Sequence, residues 1–175
     1  MRDDPGSTAC CWRHGGPFAF ESGQRVTRNK AMKNTDAIFH PQAVMQELQK
    51  FQGCWRQTYA EMGGIGNPAD EVGSQSRCTF ADNTFVVYRA DGDIVIEGTF
   101  AIDPTREPKT VDWTDTFGAD AGKTLPAIYR LDGDELVFCV GNEGEQAPRE
   151  FRTRPATEDV LRIHRREASA PLAKA

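Results

Sequence analysis

Residues 127–140 read Ala127-Ile128-Tyr129-Arg130-Leu131-Asp132-Gly133-Asp134-Glu135-Leu136-Val137-Phe138-Cys139-Val140, and this stretch decides the fold. Two β-rich runs flank Asp132-Gly133. A tight hairpin turn needs positive φ at its centre, which Asp-Gly tolerates best. Strand alternation puts Leu136, Phe138 and Val140 on one face of the second run and Val137 and Cys139 on the other. The same hairpin signal recurs at Asp91-Gly92, ahead of Ile94-Val95-Ile96-Glu97-Gly98-Thr99-Phe100. There, Ile94, Ile96, Gly98 and Phe100 share a face opposite the more polar Val95, Glu97 and Thr99.

Outward from these hairpins, short β-rich runs separated by turn residues occupy 55–61, 76–80, 84–90, 94–102, 110–114, 127–131, 135–140, 150–153 and 160–165. One apolar and one mixed face per strand is what a barrel with a filled interior and a wet exterior requires. The expectation is an all-β chain: a single antiparallel up-and-down β-barrel of eight or nine strands over 41–167. Pro104, Pro108, Pro126, Pro148 and Pro155 are expected between runs or at strand starts, where a missing N–H does least harm. One short helix over 41–49 is expected before the first strand. Pro41 sits in its first turn, and Val44, Leu48 and Phe51 line one face.

Residues 1–35 lack periodicity and read as a disordered N-terminal tail, with Met32 an alternative start; 168–175 read as a flexible C-terminal tail. Charge is uneven. Residues 1–35 carry six Lys/Arg against three Asp/Glu, whereas 36–167 carry fourteen against twenty-three. An acidic barrel argues against nucleic acid as a partner, because phosphate binding needs clustered Lys and Arg. The sequence holds no run of ~20 apolar residues that would span a membrane. The N-terminus lacks the apolar run of a secretory signal, so a cytoplasmic, soluble protein is expected. Five cysteines, Cys10, Cys11, Cys54, Cys78 and Cys139, form neither a disulfide framework nor a CxxC pair, and no metal or cofactor is expected.

Two segments resemble a known family. Leu48-Gln49-Lys50-Phe51-Gln52-Gly53-Cys54-Trp55 is close to a strand-opening LQGxW pattern. The second runs from Gly98 through Asp103-Pro104-Thr105-Arg106-Glu107-Pro108-Lys109-Thr110-Val111-Asp112 to Ile128-Tyr129-Arg130-Leu131-Asp132-Gly133-Asp134-Glu135-Leu136. Together they resemble an uncharacterised lipocalin-like (calycin-type) bacterial domain abundant in planctomycetes. The likeness spans about two thirds of the chain. Cys54 stands where that family has a small hydroxyl residue, Pro126 stands near its usual Gly, and Pro148-Arg149 reverses its Arg-Pro. The resemblance implies a barrel and carries no established chemistry. Gly53-x-Trp55 is also similar to the lipocalin first-strand signature, which implies that Trp55 closes one end of the barrel with Arg162 or Arg165 on its face.

The candidate ligand-binding residues are Asp103, Lys109, Asp112, Trp113, Tyr129 and Arg130. Asp103 and Asp112 with Lys109 form either an acid–base set or a turn cap with a rim ion pair. Trp113, Tyr129 and Phe117 line either a pocket mouth or the core. Arg130 follows Tyr129, so only one of the two points inward. Cys139 reads as a small hydrophobe and His164 as a solvent-facing strand residue. Residues 120–124 lack the upstream Gly of a phosphate loop, and 62–68 are not followed by the helix of a dinucleotide fingerprint. No catalytic residue is assigned. The leading expectation is a barrel that binds a small, mostly apolar molecule. The alternatives are a filled barrel acting as a protein–protein interaction module and a small barrel enzyme of the cyclase or isomerase type.

Overall fold

The computed structural model describes residues 41–67 and 75–168. The predicted 1–35 tail, Met32, Cys10 and Cys11 lie outside the described residues, as does 169–175 of the predicted C-terminal tail.

Helix α1 (Pro41–Phe51) begins at a proline and carries Lys50 in its last turn, where a cation faces the negative end of the helix dipole. It runs two residues past the expected 41–49. Gly53, at φ +109°, turns the chain directly from helix into strand. The strands follow as β1 (Gly53–Met62), β2 (Ile65–Gly66), β3 (Arg77–Ala81), β4 (Thr84–Tyr88), β5 (Ile94–Asp103), β6 (Lys109–Phe117), β7 (Thr124–Asp132), β8 (Glu135–Val140) and β9 (Val160–Arg166). All pairings are antiparallel: β1 lies between β2 and β3, and from β3 to β9 each strand pairs with its neighbour in the chain. β1 also pairs with β9 and closes an eight-stranded barrel, with β2 outside it on β1.

Three expectations need correction. Residues 150–153 are not a strand: Thr153 gives its backbone N–H to the Glu61 carboxylate at 2.8 Å rather than to a neighbouring strand, and prolines flank the segment. Pro126 lies inside β7, opposite Asp112 of β6. Its carbonyl accepts from Gly141 N, so its missing donor also faces the β8 side, just past the last residue of β8. The 132–133 hairpin is shifted by one, with Gly133 (φ +55°) and Asp134 as the loop between the paired Asp132 and Glu135. At Asp91-Gly92 the turn is longer, closed by Arg89 N to Asp93 O at 2.8 Å, with Gly92 at φ +98°.

The lumen is packed with aromatic rings at the end where β1 begins. The Phe51 ring, fully buried, enters from α1 and lies 5.6 Å from Phe80, 5.3 Å from Phe100 and 5.1 Å from Tyr129. Trp113 carries the stack onward, 5.1 Å from Phe85 and 5.3 Å from Phe138. Gly98 is required here: a Cβ would come within 2.3 Å of the Thr114 carbonyl and 2.7 Å of the Phe85 ring. The exterior is not uniformly wet. Ile128, Val137, Cys139 and Leu161 face outward from β7, β8 and β9, yet are buried beneath Ala147 and Phe151 of the β8–β9 connection.

Candidate functional site

The six candidate ligand residues do not converge. Asp103 holds the β5–β6 turn, accepting from Thr105 N at 3.0 Å, Thr105 Oγ1 at 2.6 Å and Arg106 Nε at 3.0 Å. The Thr105 hydroxyl leads in holding its carboxyl below the usual range. Lys109 pairs with Glu47 of α1 and lies 5.8 Å above the Tyr129 ring. Asp112 is exposed on the outer face of β6. Arg130 is also exposed, 3.8 Å from Glu135 and 5.5 Å over the Phe151 ring. Trp113 and Tyr129 are buried in the lumen, and Tyr129 Oη lies 3.4 Å from Glu47 Oε1 beneath the helix.

These contacts make the β1-start end of the barrel a sealed plug. Glu47 is buried between Lys109 and Lys50. Burial opposes its ionisation, but hydrogen bonds and charge from the two lysines outweigh it and hold the carboxyl below its ordinary value. The arginine over Trp55 is Arg166, with its guanidinium 4.1 Å from the ring centroid, and not Arg162 or Arg165. Register explains this: Trp55 pairs with Arg166, whereas Arg165 points outward to Glu135 at 2.9 Å and Arg162 lies further up the lumen. Arg166 also donates to the Gln52 and Lys50 carbonyls at 2.6 Å each, so it caps the last turn of α1. Gly53 lies under this guanidinium, 3.5 Å from where its Cβ would be.

The opposite end differs. Val87, Ile96, Leu125, Phe138 and Val140 face into the lumen and are partly buried against the core. Polar side chains line the lumen above the plug. Gln57 follows Trp55 at the inward parity of β1, and Arg162 Nη1 donates to its Oε1 at 2.7 Å. Ser76 shares the face of Cys78 and hands its carbonyl to Gln57 N at 2.8 Å. His164 is inward and buried, not solvent-facing, with its ring stacked on Phe138 at 5.2 Å and 17°. Asp115 faces in from β6, across the barrel wall from β1. Three polar atoms in this lumen are buried without a hydrogen-bond partner: Ser76 Oγ, Trp113 Nε1 and His164 Nδ1.

Burial pushes His164 down to about 3, helped by the Arg162 charge, so its imidazole is neutral. Burial, with Asp120 nearby, pushes the Asp115 carboxyl up to about 6. Burial also raises the Cys139 thiol to about 12 and the Cys78 thiol well above its ordinary value, so neither supplies a thiolate nucleophile. Cys78 and Cys139 are free thiols, and Cys54 Sγ lies 3.5 Å from Thr79 Oγ1. Among the described residues, no group of three or more His, Cys, Asp or Glu could hold a metal ion, and no helix is long and apolar enough to cross a membrane. An open cleft of about 460 Å³, lined by Arg56, Gln57, Thr58, Tyr59, Asn67 and Gln75, lies where β1 bulges beyond its pairing with β3.

The set Gln57, Ser76, Asp115, His164 and Arg162 was not singled out from the sequence as a site. Its signal is parity: each lies two or four residues from an inward aromatic or Cys78 within its strand, or from the inward Arg166 on β9. A scan of protein-family models matches none to this chain, and a search of curated proteins returns no match.

Proposed function

We propose that this barrel binds a small molecule in its lumen, above the plug. One observation carries the reading: Ser76, Trp113 and His164 bury polar atoms without hydrogen-bond partners inside the barrel. A buried, unsatisfied polar group costs ~1–3 kcal/mol, and a ligand or water that meets it recovers much of that. The lining combines apolar Phe138, Leu125 and Val140 with a few placed polar groups, the usual make-up of a ligand site. The lipocalin-like resemblance of the sequence fits this reading, with the correction that the site is more polar than a mostly apolar ligand requires. Native mass spectrometry of the purified full-length protein, followed by denaturation, is the test. A reproducible co-purifying small molecule is expected. A clean unliganded mass from several expression hosts, together with no saturable binding in a fragment screen, overturns the reading.

A protein-interaction module is the second reading, favoured by one observation. Of the large apolar side chains exposed among the described residues, Met62, Ile65, Ile94 and Phe117 all belong to the end opposite the plug. Charged substitutions at Ile65 and Phe117 that abolish capture of a partner while leaving small-molecule binding intact would favour it.

A further inference from the structure

The β8–β9 connection, residues 141–159, runs over the outer wall of the barrel without helix or strand. Connections of that length without secondary structure are uncommon in a compact domain and are often functional loops. Between Asn142 and Asp159 every residue except Thr153 is at least partly exposed. Ala147 and Phe151 cover the apolar strip of Ile128, Val137, Cys139 and Leu161 but are themselves only partly buried.

Thr153 is held by a side chain of β1. Its N–H and its hydroxyl both donate to Glu61 Oε1, at 2.8 and 2.9 Å, and its hydroxyl accepts from Gly64 N at 2.8 Å. Tyr59 Oη donates to the other carboxylate oxygen of Glu61 at 3.1 Å. The Thr153 N–H leads in holding the Glu61 carboxyl below its ordinary value, so the acceptor is charged and the bonds to it are strong. Many of the connection's other polar contacts are internal. Glu150 pairs with Arg152 and Arg154, and Thr157 N donates to the Arg154 carbonyl at 3.0 Å. Two further contacts with the wall are weaker: Cys139 Sγ lies 3.8 Å from the Arg152 carbonyl, and Arg130 lies 5.5 Å over the Phe151 ring.

The barrel closes without this segment. β7 pairs with β8, β8 with β9 and β9 with β1, each through its own backbone ladder. We infer that the β8–β9 connection is a strap that lifts from the wall as a unit while the barrel stays closed, with the Glu61 carboxylate as its latch. Lifting uncovers Ile128, Val137, Cys139 and Leu161 together, an apolar strip across β7, β8 and β9. Segments with few buried apolar contacts open at a lower free energy than the whole fold. The internal ion pairs travel with the strap, so opening breaks little besides the latch and the cover over the strip.

Two buried thiols distinguish this opening from global unfolding. Cys139 lies under the strap, and Cys78 faces the lumen. The full-length protein is treated with N-ethylmaleimide at low concentration, where modification reads the open population, and each cysteine is followed by peptide mass spectrometry. Cys139 is expected to react about 10-fold or more faster than Cys78. Mild urea should speed Cys78 steeply, because it waits for the whole fold, and Cys139 only slightly, because lifting the strap exposes little surface. Glu61→Gln, which leaves a neutral acceptor, and Thr153→Val, which deletes the hydroxyl at nearly constant shape, are each expected to speed Cys139 about 5- to 10-fold. Should Glu61→Gln fail to fold, Thr153→Val carries the test.

Cys139 reacting no faster than Cys78, with the same steep urea dependence, overturns the inference, since only global unfolding then exposes it. Fast, urea-insensitive modification of Cys139 that neither substitution changes overturns it too, because the segment then opens without regard to Glu61.

Discussion

The two ends of the barrel are built from the same strands and solve opposite problems. At the end where β1 begins, α1 drives Phe51 among Phe80, Phe100 and Tyr129, and Arg166 covers Trp55 while capping the helix. There the buried charges are matched: Glu47 has Lys109 and Lys50. Above the plug, polar side chains are just as buried but unmatched: Ser76, Trp113 and His164 have orphan atoms, and Asp115 lies near the like charge of Asp120. An end that satisfies its polar groups internally serves stability. A region that leaves them unsatisfied gives up stability, and the proposed small-molecule binding rests on that contrast.

The largest effect expected from breaking this contrast is at the plug. Phe51→Ala removes a fully buried ring touching three others and is expected to cost ~3–5 kcal/mol, read by urea unfolding. A loss below ~1 kcal/mol would mean that the helix does not seal the lumen. Next is Lys109→Met, which strands the Glu47 carboxylate with Lys50 alone; a cost of ~2 kcal/mol is expected, below the ~3–5 kcal/mol of a fully broken buried pair. Adding Glu47→Gln should recover most of that loss. The Glu47 carboxyl titrates below its unfolded value, so its contribution is complete above that value and disappears as pH falls through its folded one. The Glu47→Gln protein should accordingly be less sensitive to acid than the wild type. If the single and double variants are equally unstable, the pair is not the device that fastens α1.

The plug was partly legible in the sequence, and the opposite end hardly at all. Hairpin dipeptides and period-two alternation gave the meander, because turn chemistry and face parity are local. Gly53-x-Trp55 is a local pattern, but the arginine on the Trp55 ring is Arg166 and not Arg162 or Arg165, since register across 105 or more residues is a tertiary fact. Glu47 went unremarked because a lone acid on a short helix reads as surface, and only the fold brings Lys109 beneath it. Asp103 and Lys109 stood out for their spacing, but that spacing reflects a turn and a plug. The outward apolar set, Val137 with Cys139, was ambiguous because the β8–β9 connection that covers it has no strand or helix pattern. His164 reads from the sequence as solvent-facing, and Gln57 and Asp115 carry no local mark of an inward position, because polar residues in a short run do not reveal which face the barrel turns inward.

The smallest expected effect is the sharpest probe of the lumen above the plug, because His164 and Asp115 pull stability in opposite directions with pH. The unfolded chain protonates His164 near its ordinary value of 6.5, whereas the folded chain resists down to about 3, so this residue lowers stability as pH falls below 6.5. Asp115 is protonated in the folded chain at about 6 and in the unfolded chain only near 3.8, so it raises stability over much of the same descent. Each slope is at most ~1.4 kcal/mol per pH unit, and between about pH 6 and 4 they offset, leaving the wild type nearly flat from this pair. Asp115→Asn should raise stability by ~1–2 kcal/mol near pH 8, where the buried carboxylate is charged, and should change nothing near pH 4. Between these limits it uncovers the falling His164 limb, whereas His164→Gln uncovers the rising Asp115 limb. Urea unfolding of the three proteins from about pH 8 to pH 4 gives the comparison directly. Parallel curves would mean that neither group is held in the lumen as the geometry requires. Diverging curves would place both groups, a neutral imidazole and a carboxyl with a raised pKa, inside the barrel as the geometry requires.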